Sequence, residues 1–291
     1  MGILTSTNLQ APFGKPYKIA FSNNLPAIAD SMRHFHRALL CCVSFSALFL
    51  VSCQPGVQEL STVIVRSFPH TTNAYTQGLL IHNGRLFEST GLYGSSSLRE
   101  VNLNTGIVER FLPLSKEYFG EGLARVENQL IQLTWQKGTA FVYDLETFEV
   151  QKTFHYDGEG WGLCHDGKDL FMSDGTSTLF RRNAYTFEEE RALTITLRGQ
   201  AIHNLNELEC VGENVYANIW QTDTIIRINK HSGKVTAKID ASDLLTDKQR
   251  SELLPGEVLN GIAYDKEAES FYITGKNWPT LFEVRWAVGS P

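Results

Sequence analysis

The chain has 291 residues, 42% of them hydrophobic, which is typical of a folded globular protein and excludes a disordered, collagen-like or low-complexity chain. The formal net charge is −6, and it becomes −9 without residues 1–52, which carry four bases and one acid. A nucleic-acid binder needs the opposite sign of charge, so we expect no nucleic-acid partner.

The amino-terminal segment has the layout of a secretory signal. A basic stretch, Arg33–Arg37, precedes 14 apolar or small residues, Ala38–Val51, a run too short for a comfortable membrane span. Its end, Leu50-Val51-Ser52-Cys53, resembles a bacterial lipobox, whose cysteine is lipidated and becomes the mature amino terminus. We expect translation from Met32, export, and a lipid anchor at Cys53 on the periplasmic face as the only membrane attachment. The alternative is a longer, atypical signal region.

Two cysteines remain beyond the signal and the lipidation candidate, Cys164 and Cys210. They allow at most one bridge and show no metal-ligand spacing. We therefore expect two buried free thiols.

One phrase recurs five times along the rest of the chain: a polar or aromatic residue, then Gly-Leu or a near equivalent, then a short strand. The copies are Gln77-Gly78-Leu79, Glu121-Gly122-Leu123, Trp161-Gly162-Leu163, Asn206-Glu207-Leu208 and Asn260-Gly261-Ile262. Their spacings of 44, 40, 45 and 54 residues leave room for four short antiparallel strands and their turns.

Five such units predict an all-β, five-bladed β-propeller over residues 61–286. An upstream and signal segment (1–52) and a tether (53–60) precede it, and a tail (287–291) follows. Because the fifth unit ends after its third strand at Trp286, we expect Thr62–Arg66 to supply its fourth strand and close the ring. A β-sandwich or an open array is the alternative, but neither explains five matched phrases. A helix over Ser242–Leu254, capped by Ser242 or Asp243, is predicted before the fifth unit.

Two sets of residues are expected at the mouth of the central channel, because the first strand of each unit lines it and the second strand returns to the same face. The first set is Gln77, Glu121, Trp161, Asn206 and Asn260, and the second is Gly91, Trp135, Asp174, Trp220 and Gly275-Lys276. Three indoles on a solvent-facing rim exceed ordinary structural needs, which favours a binding or catalytic pocket.

Glu121 is the strongest acid–base candidate in this mouth, since apolar rings raise the pKa of a carboxyl group and a nearby lysine, Lys276, lowers it. No serine or cysteine nucleophile motif is present, and the scattered histidines predict no zinc site. Asp174 is the only other mouth carboxylate, so a two-carboxylate glycosidase stays a weak alternative.

The longest motifs resemble the plant-type glutaminyl cyclase family over about residues 61–286. They include Asn73-Ala74-Tyr75-Thr76-Gln77-Gly78-Leu79, Phe119-Gly120-Glu121-Gly122, Gln132-Leu133-Thr134-Trp135, Glu159-Gly160-Trp161-Gly162-Leu163, Asn204-Leu205-Asn206-Glu207-Leu208-Glu209 and Ala217-Asn218-Ile219-Trp220. The resemblance implies a five-bladed propeller that converts the amino-terminal glutamine of a peptide or protein to pyroglutamate with loss of ammonia. It also implies no cofactor and none of the catalytic zinc of the unrelated animal-type enzymes.

In this reaction the α-amine of the substrate attacks its own γ-carboxamide, so the protein needs no nucleophile. Glu121 is expected to move the proton, and Lys276 to pair with Glu121. The expected walls of the pocket are Tyr75, Phe119, Trp135, Trp161 and Trp220. Indole N–H groups and the amides of Gln77 and Asn206 are the candidate donors to the oxyanion. We expect a monomer. A non-catalytic sugar- or peptide-binding propeller with the same mouth is the other alternative.

Overall fold

The computed structural model describes residues 56–288, which are largely β-strand. Cys53 and the predicted signal segment lie outside the described residues. Within this range no helix is long and apolar enough to cross a membrane. The first strand, β1, spans Gln58–Pro69.

Three four-stranded antiparallel sheets follow β1, each with its strands in chain order. Unit one contains β2 (Thr76–His82), β3 (Arg85–Thr90), β4 (Ser97–Val101) and β5 (Val108–Pro113). Unit two contains β6 (Gly120–Val126), β7 (Gln129–Thr134), β8 (Thr139–Asp144) and β9 (Val150–His155). Unit three contains β10 (Leu163–His165), β11 (Asp169–Ser173), β12 (Thr178–Asn183) and β13 (Glu189–Thr194). A short hairpin then pairs β14 (Thr196–Leu197) with β15 (Gln200–Ala201).

The remaining strands form one eight-stranded sheet that includes β1. Unit four contains β16 (Leu205–Val211), β17 (Asn214–Ile219), β18 (Thr224–Asn229) and β19 (Val235–Asp240). Unit five contains β20 (Leu259–Asp265), β21 (Ser270–Gly275) and β22 (Thr280–Val288). The strand order is β16-β17-β18-β19-β1-β22-β21-β20, so β1 lies between units four and five.

Strand β1 is the fourth strand of unit five. It pairs antiparallel with β22 from Leu60 opposite Val288 to Pro69 opposite Thr280, as the sequence predicts for the segment around Thr62. It begins at Gln58, inside the predicted tether, and its first residues also pair in parallel with β19. The same short stretch therefore joins the last two units through backbone hydrogen bonds.

The segment before unit five is not the single helix that the sequence predicts. A 3₁₀ turn covers Ser242–Leu244, and a separate helix, α1, covers Asp247–Glu252. Leu244 and Leu245 are buried in the core between units four and five, and Leu245 is extended, which interrupts the helix. Thr246 is the actual cap and forms a capping box with Gln249, so the prediction of Ser242 or Asp243 was wrong.

The first strands of the units lie side by side: β2 contacts β6 and β20, β10 contacts β6 and β16, and β16 contacts β20. Glycines permit this approach, because a Cβ atom on Gly78 or Gly122 would lie 2.5 Å from a backbone nitrogen of the next strand. In β16 the corresponding residue is Glu207, whose buried carboxylate accepts hydrogen bonds from the backbone N–H groups of Leu79 (3.2 Å) and Ile262 (2.7 Å).

Five hydrophobic clusters fill the spaces between neighbouring units. Each cluster joins one unit to the next, and the fifth joins unit five to unit one. Representative pairs are Phe87 with Leu123, Ile131 with Leu170, Phe171 with Val215, Tyr216 with Phe271, and Tyr272 with Leu86.

The two cysteines form a disulfide, so the prediction of free thiols was wrong. Cys164 in β10 and Cys210 in β16 lie on neighbouring first strands with their Cα atoms 5.4 Å apart. This distance suits a disulfide, but it arises from the approach of two units and not from the spacing of the cysteines along the chain.

Candidate active site

One cavity of about 270 Å³ opens where the first strands begin and the second strands end. It brings together all nine residues that the sequence singled out for the pocket: Tyr75, Gln77, Phe119, Glu121, Trp135, Trp161, Asn206, Trp220 and Lys276. Leu92 also lines it and was not predicted. These residues come from all five units, so the site exists only when the units are assembled.

Two other residues that the sequence placed at the mouth have structural roles. Asn260 is buried and donates to the carbonyl of Thr76 (2.9 Å) and to Oε1 of Gln77 (3.0 Å). Asp174 accepts hydrogen bonds from Thr176 in its own turn. Neither lines the cavity. The cavity therefore contains a single carboxylate, which disfavours a two-carboxylate glycosidase.

That carboxylate belongs to Glu121, which is only 4% exposed. Its Oε1 accepts a hydrogen bond of 2.9 Å from Nε2 of Gln77. Burial raises the pKa of Glu121 well above its ordinary value, and the charge of Glu159 adds to this effect. The positive charge of Lys276 and the Gln77 hydrogen bond lower it only in part. Glu121 thus holds a proton more readily than an exposed glutamate does, which suits an acid–base group.

Lys276 does not form the direct ion pair with Glu121 that we expected. Across residues 56–288, no carboxylate oxygen of Glu121 lies within 4 Å of the lysine Nζ. Nζ instead lies 4.9 Å from the centre of the Tyr75 ring, a cation–π distance. Burial lowers the pKa of Lys276 to about 8, and the charge of Glu121 opposes that shift.

Aromatic rings form much of the cavity wall and pack on one another edge to face. The Phe119 ring lies 5.6 Å from Trp135 and 6.3 Å from Tyr75, and the rings of Trp161 and Trp220 are 5.5 Å apart. Such contacts limit the rotation of each ring, so the shape of the cavity is fixed before a ligand enters.

Two of the indole N–H groups are already engaged. Nε1 of Trp135 (2.8 Å) and Nε1 of Trp161 (2.9 Å) both donate to Oε2 of Glu159. On sequence grounds, all three indole N–H groups are candidate donors to the oxyanion. For Trp135 and Trp161 this prediction was wrong, because their N–H groups already donate to Glu159. Glu159 itself was missed, although it stands at the head of the Glu159-Gly160-Trp161 motif.

Two neutral side chains on the cavity wall have donors without a hydrogen-bond partner. Nε1 of Trp220 and the side-chain amide of Asn206 make no hydrogen bond to any residue that the structure describes. The Gln77 amide differs, since its oxygen accepts from Asn260 and its nitrogen donates to Glu121. Trp220 and Asn206, together with the ammonium of Lys276, thus have donors available to a ligand.

The described part of the chain holds no group of three or more His, Cys, Asp or Glu side chains that is arranged to bind a metal ion. The six histidines of this part are distributed over several units. One of them, His70, is buried against Glu88 in unit one, outside the cavity lining.

The chain is similar in sequence and in structure to known proteins. The family model for glutamine cyclotransferase matches residues 38–286. A glutaminyl-peptide cyclotransferase of Arabidopsis thaliana is 43% identical over 224 residues, which are 76% of this chain and 70% of the relative. The crystal structure of Myxococcus xanthus glutaminyl cyclase is 38% identical and superimposes with a TM-score of 0.76, covering 80% of this chain and 100% of that one. The chain belongs to the glutamine cyclotransferase family.

Proposed function

We propose that the protein converts the amino-terminal glutamine of peptides or proteins to pyroglutamate with release of ammonia. One observation carries the proposal: a single buried carboxylate, Glu121, lies in an aromatic cavity beside the unpartnered donors of Trp220 and Asn206. A plant glutaminyl-peptide cyclotransferase and a bacterial glutaminyl cyclase are the relatives that support it.

The reaction forms one bond and breaks one. The α-amine nitrogen attacks the carbonyl carbon of the γ-carboxamide and gives a tetrahedral intermediate with a negatively charged oxygen. The bond from that carbon to the amide nitrogen then breaks, and ammonia leaves. Both reacting groups belong to one residue, so a rigid wall that folds the side chain back removes much of the entropic barrier. Phe119, Trp135 and Trp161 provide such a wall.

Glu121 carries the proton between the two nitrogens. In its ionised form it takes a proton from the α-amine nitrogen, which becomes positively charged as it bonds to the carbonyl carbon. In its protonated form it delivers that proton to the leaving amide nitrogen, so the products are the neutral lactam and ammonia. A raised pKa suits this double task, because it brings the protonated form of the carboxyl group closer in free energy to the ionised form. Gln77 holds the carboxylate in place through Nε2.

The N–H groups of Trp220 and Asn206 stabilise the developing oxyanion. Neither has a partner among the described residues, Asn206 is buried, and Trp220 packs edge to face on Trp161, so no internal hydrogen bond must break when negative charge appears. The buried ammonium of Lys276 adds a positive charge to the same cavity. Asn206 and Trp220 belong to one unit, which fixes their relative positions.

We also propose that the five units form a closed five-bladed propeller. Three observations support it: the first strands contact one another in a cycle, the five cores each join successive units, and β1 completes unit five. Export is supported by the disulfide, which is typical of proteins in oxidising compartments. Lipidation of Cys53, the monomeric state and the absence of a metal requirement remain proposals from the sequence.

A peptide that begins with glutamine provides the direct test. With the wild-type protein, we expect the mass of the peptide to fall by one ammonia. Ammonia should be released faster than in a protein-free control, which is needed because the reaction has an uncatalysed background. Glu121→Gln serves as the matched inactive control. A non-catalytic binding propeller would bind the peptide without changing its mass, and that result would refute the proposal.

Metal independence is tested in the same assay. After dialysis against a chelator, we expect unchanged turnover. Full loss of activity, restored by zinc, would overturn this part of the proposal.

A further inference from the structure

The carboxylate of Glu159 has an unusual set of partners. Its Oε2 accepts the indole N–H of Trp135 at 2.8 Å and that of Trp161 at 2.9 Å, while its Oε1 accepts Nε2 of Gln136 at 3.0 Å. Trp135 follows β7 of unit two, and Trp161 precedes β10 of unit three. One oxygen therefore connects aromatic walls from two different units.

We propose that Glu159 is a positioning residue of the cyclisation site: its carboxylate fixes the ring planes of Trp135 and Trp161 and directs their N–H groups away from the reacting carbonyl. This inference rests on the proposed function. The proposed role of Glu159 is separate from substrate contact and from proton transfer, because Glu159 does not line the cavity.

The geometry around Glu159 favours a positioning role over direct proton transfer to or from the substrate. Glu159 lies outside the cavity lining, and its oxygens accept hydrogen bonds from Trp135, Trp161 and Gln136, so it is not placed to take a proton from a substrate in the cavity. An indole can rotate about its side-chain bonds, and the hydrogen bond that each of these two indoles donates to the charged acceptor restricts that rotation. With Trp135 and Trp161 held in this way, the free N–H of Trp220 is the indole donor left for the oxyanion.

Glu159 also acts on Glu121 at longer range. Its negative charge raises the pKa of Glu121, against the lowering effect of Lys276. The other ionisable groups that sense the Glu121 charge are Tyr75 and Tyr156. Removal of the Glu159 charge should therefore lower the pKa of Glu121, whether Glu121 works in its ionised or its protonated form.

Glu159→Gln is the principal variant, because it keeps the size of the side chain but weakens both indole hydrogen bonds. We expect kcat to fall about 10-fold, as for loss of a supporting hydrogen bond in a preorganised site. We expect the limb of the kcat–pH profile that reports Glu121 to move to lower pH by roughly 0.5 to 1 unit. Near-ultraviolet circular dichroism should change, because two indoles lose their fixed planes.

Two further variants separate position from charge. Glu159→Asp keeps the charge but shortens the side chain, so we expect lower kcat with an unshifted pH limb. Glu149→Gln removes the same charge at an exposed position of unit two and should change neither property. If Glu159 acts through the indole, the losses in Glu159→Gln and Trp135→Phe will not be additive in the double variant.

Wild-type kcat, pH profile and circular dichroism in Glu159→Gln would overturn the inference, as would fully additive losses in the double variant. The circular dichroism measurement does not depend on catalytic activity. If the wild-type protein failed to form pyroglutamate, the proposed function would fall, while the spectrum of Glu159→Gln would still decide whether this carboxylate holds the two indoles.

Discussion

Glu121 and Glu88 are buried glutamates in the neighbouring units two and one, at 4% and 0% exposure, with opposite electrostatic surroundings. Glu121 has one hydrogen-bond partner and no ion pair within the described residues, and its pKa is raised. Oε1 of Glu88 accepts from Thr76 (2.6 Å) and contacts Nε2 of His70 at 3.0 Å. Burial alone would raise the pKa of Glu88, but His70, Thr76 and Arg99 lower it overall.

His70 is the reason for the difference. Its Nδ1 lies 2.8 Å from the carbonyl oxygen of Trp278, an acceptor only, and its Nε2 faces the Glu88 carboxylate. Both ring nitrogens must therefore donate, which is the imidazolium form. Burial lowers the pKa of His70, but the charge of Glu88 and the hydrogen bonds to Glu88 and Trp278 outweigh it, so the pKa is raised. Glu88, which has such a partner, is a structural ion, whereas Glu121 lacks it and lines the cavity, where it can carry a proton.

The largest expected effect comes from removing the proton-carrying group of Glu121. Glu121→Gln keeps the size and hydrogen-bonding reach of the side chain but cannot carry a proton. We expect kcat to fall by about 10²-fold to 10⁴-fold with the fold intact. Ammonia release from a glutamine-initiated peptide measures kcat, and thermal unfolding checks the fold. Near-wild-type turnover would remove Glu121 from the chemistry.

Disruption of the Glu88–His70 pair should lower the stability of the fold. His70→Ala leaves Glu88 buried without its partner, and we expect the free energy of unfolding to fall by about 3 to 5 kcal/mol. Urea unfolding measures the loss. His231→Ala is the control, because His231 forms its ion pair with Glu213 on the surface, where such pairs contribute little.

The same pair predicts a pH window for stability. The raised pKa of His70 gives a contribution that is complete below its ordinary value of 6.5 and is lost as pH rises through its folded value. The lowered pKa of Glu88 gives one that is complete above 4.5 and is lost as pH falls through its folded value. The pair therefore contributes most between these two pH values, and His70→Ala should remove that maximum. An unchanged stability–pH curve would contradict the assignment of His70 as an imidazolium.

The sequence predicts the cavity lining well because the five units place equivalent positions on one face. Once the phrase around Gln77 and Glu121 is aligned across the units, strand periodicity gives seven of the ten lining residues. The family resemblance added Tyr75 and Phe119, and Leu92 was missed. The same rule misplaced Asn260, because the rule cannot tell whether an amide points to the cavity or to the next strand. The contacts of His70 with Glu88 and Trp278 depend on how two units approach each other, which periodicity does not encode.

Other features were missed for the same reason. The Cys164–Cys210 disulfide and the bridge from Glu159 to two indoles both depend on how closely two units approach. Glu207 gave a visible signal, since it replaces glycine in one of five matched phrases. Its hydrogen bonds to two other units could not be inferred without the structure.

A smaller effect tests whether the free and the engaged indoles differ. Trp220→Phe removes an unpartnered N–H and keeps most of the wall, so we expect kcat to fall about 10²-fold, the usual result of removing one oxyanion donor. Trp220→Ala removes the wall as well and should also raise KM, at least as much as it lowers kcat. Trp135→Phe is the matched comparison and should cost less in kcat, because its N–H already belongs to Glu159. Equal losses at both positions would place the oxyanion elsewhere.

The smallest effect concerns the one positive charge near Glu121. The pKa of Lys276 is about 8, so the lysine loses its charge as pH rises through that value, and we expect kcat to decline there. The α-amine of the substrate becomes a better nucleophile over the same range, which would increase the rate, so a decline cannot come from the substrate. In Lys276→Arg the side chain stays charged, and the alkaline limb should move up by about one pH unit or more. The pKa of Tyr75 is raised above its ordinary value of 10, so this tyrosine cannot cause a limb near pH 8. An alkaline limb that stays near pH 8 in Lys276→Arg would therefore show that the charge of Lys276 is not its source.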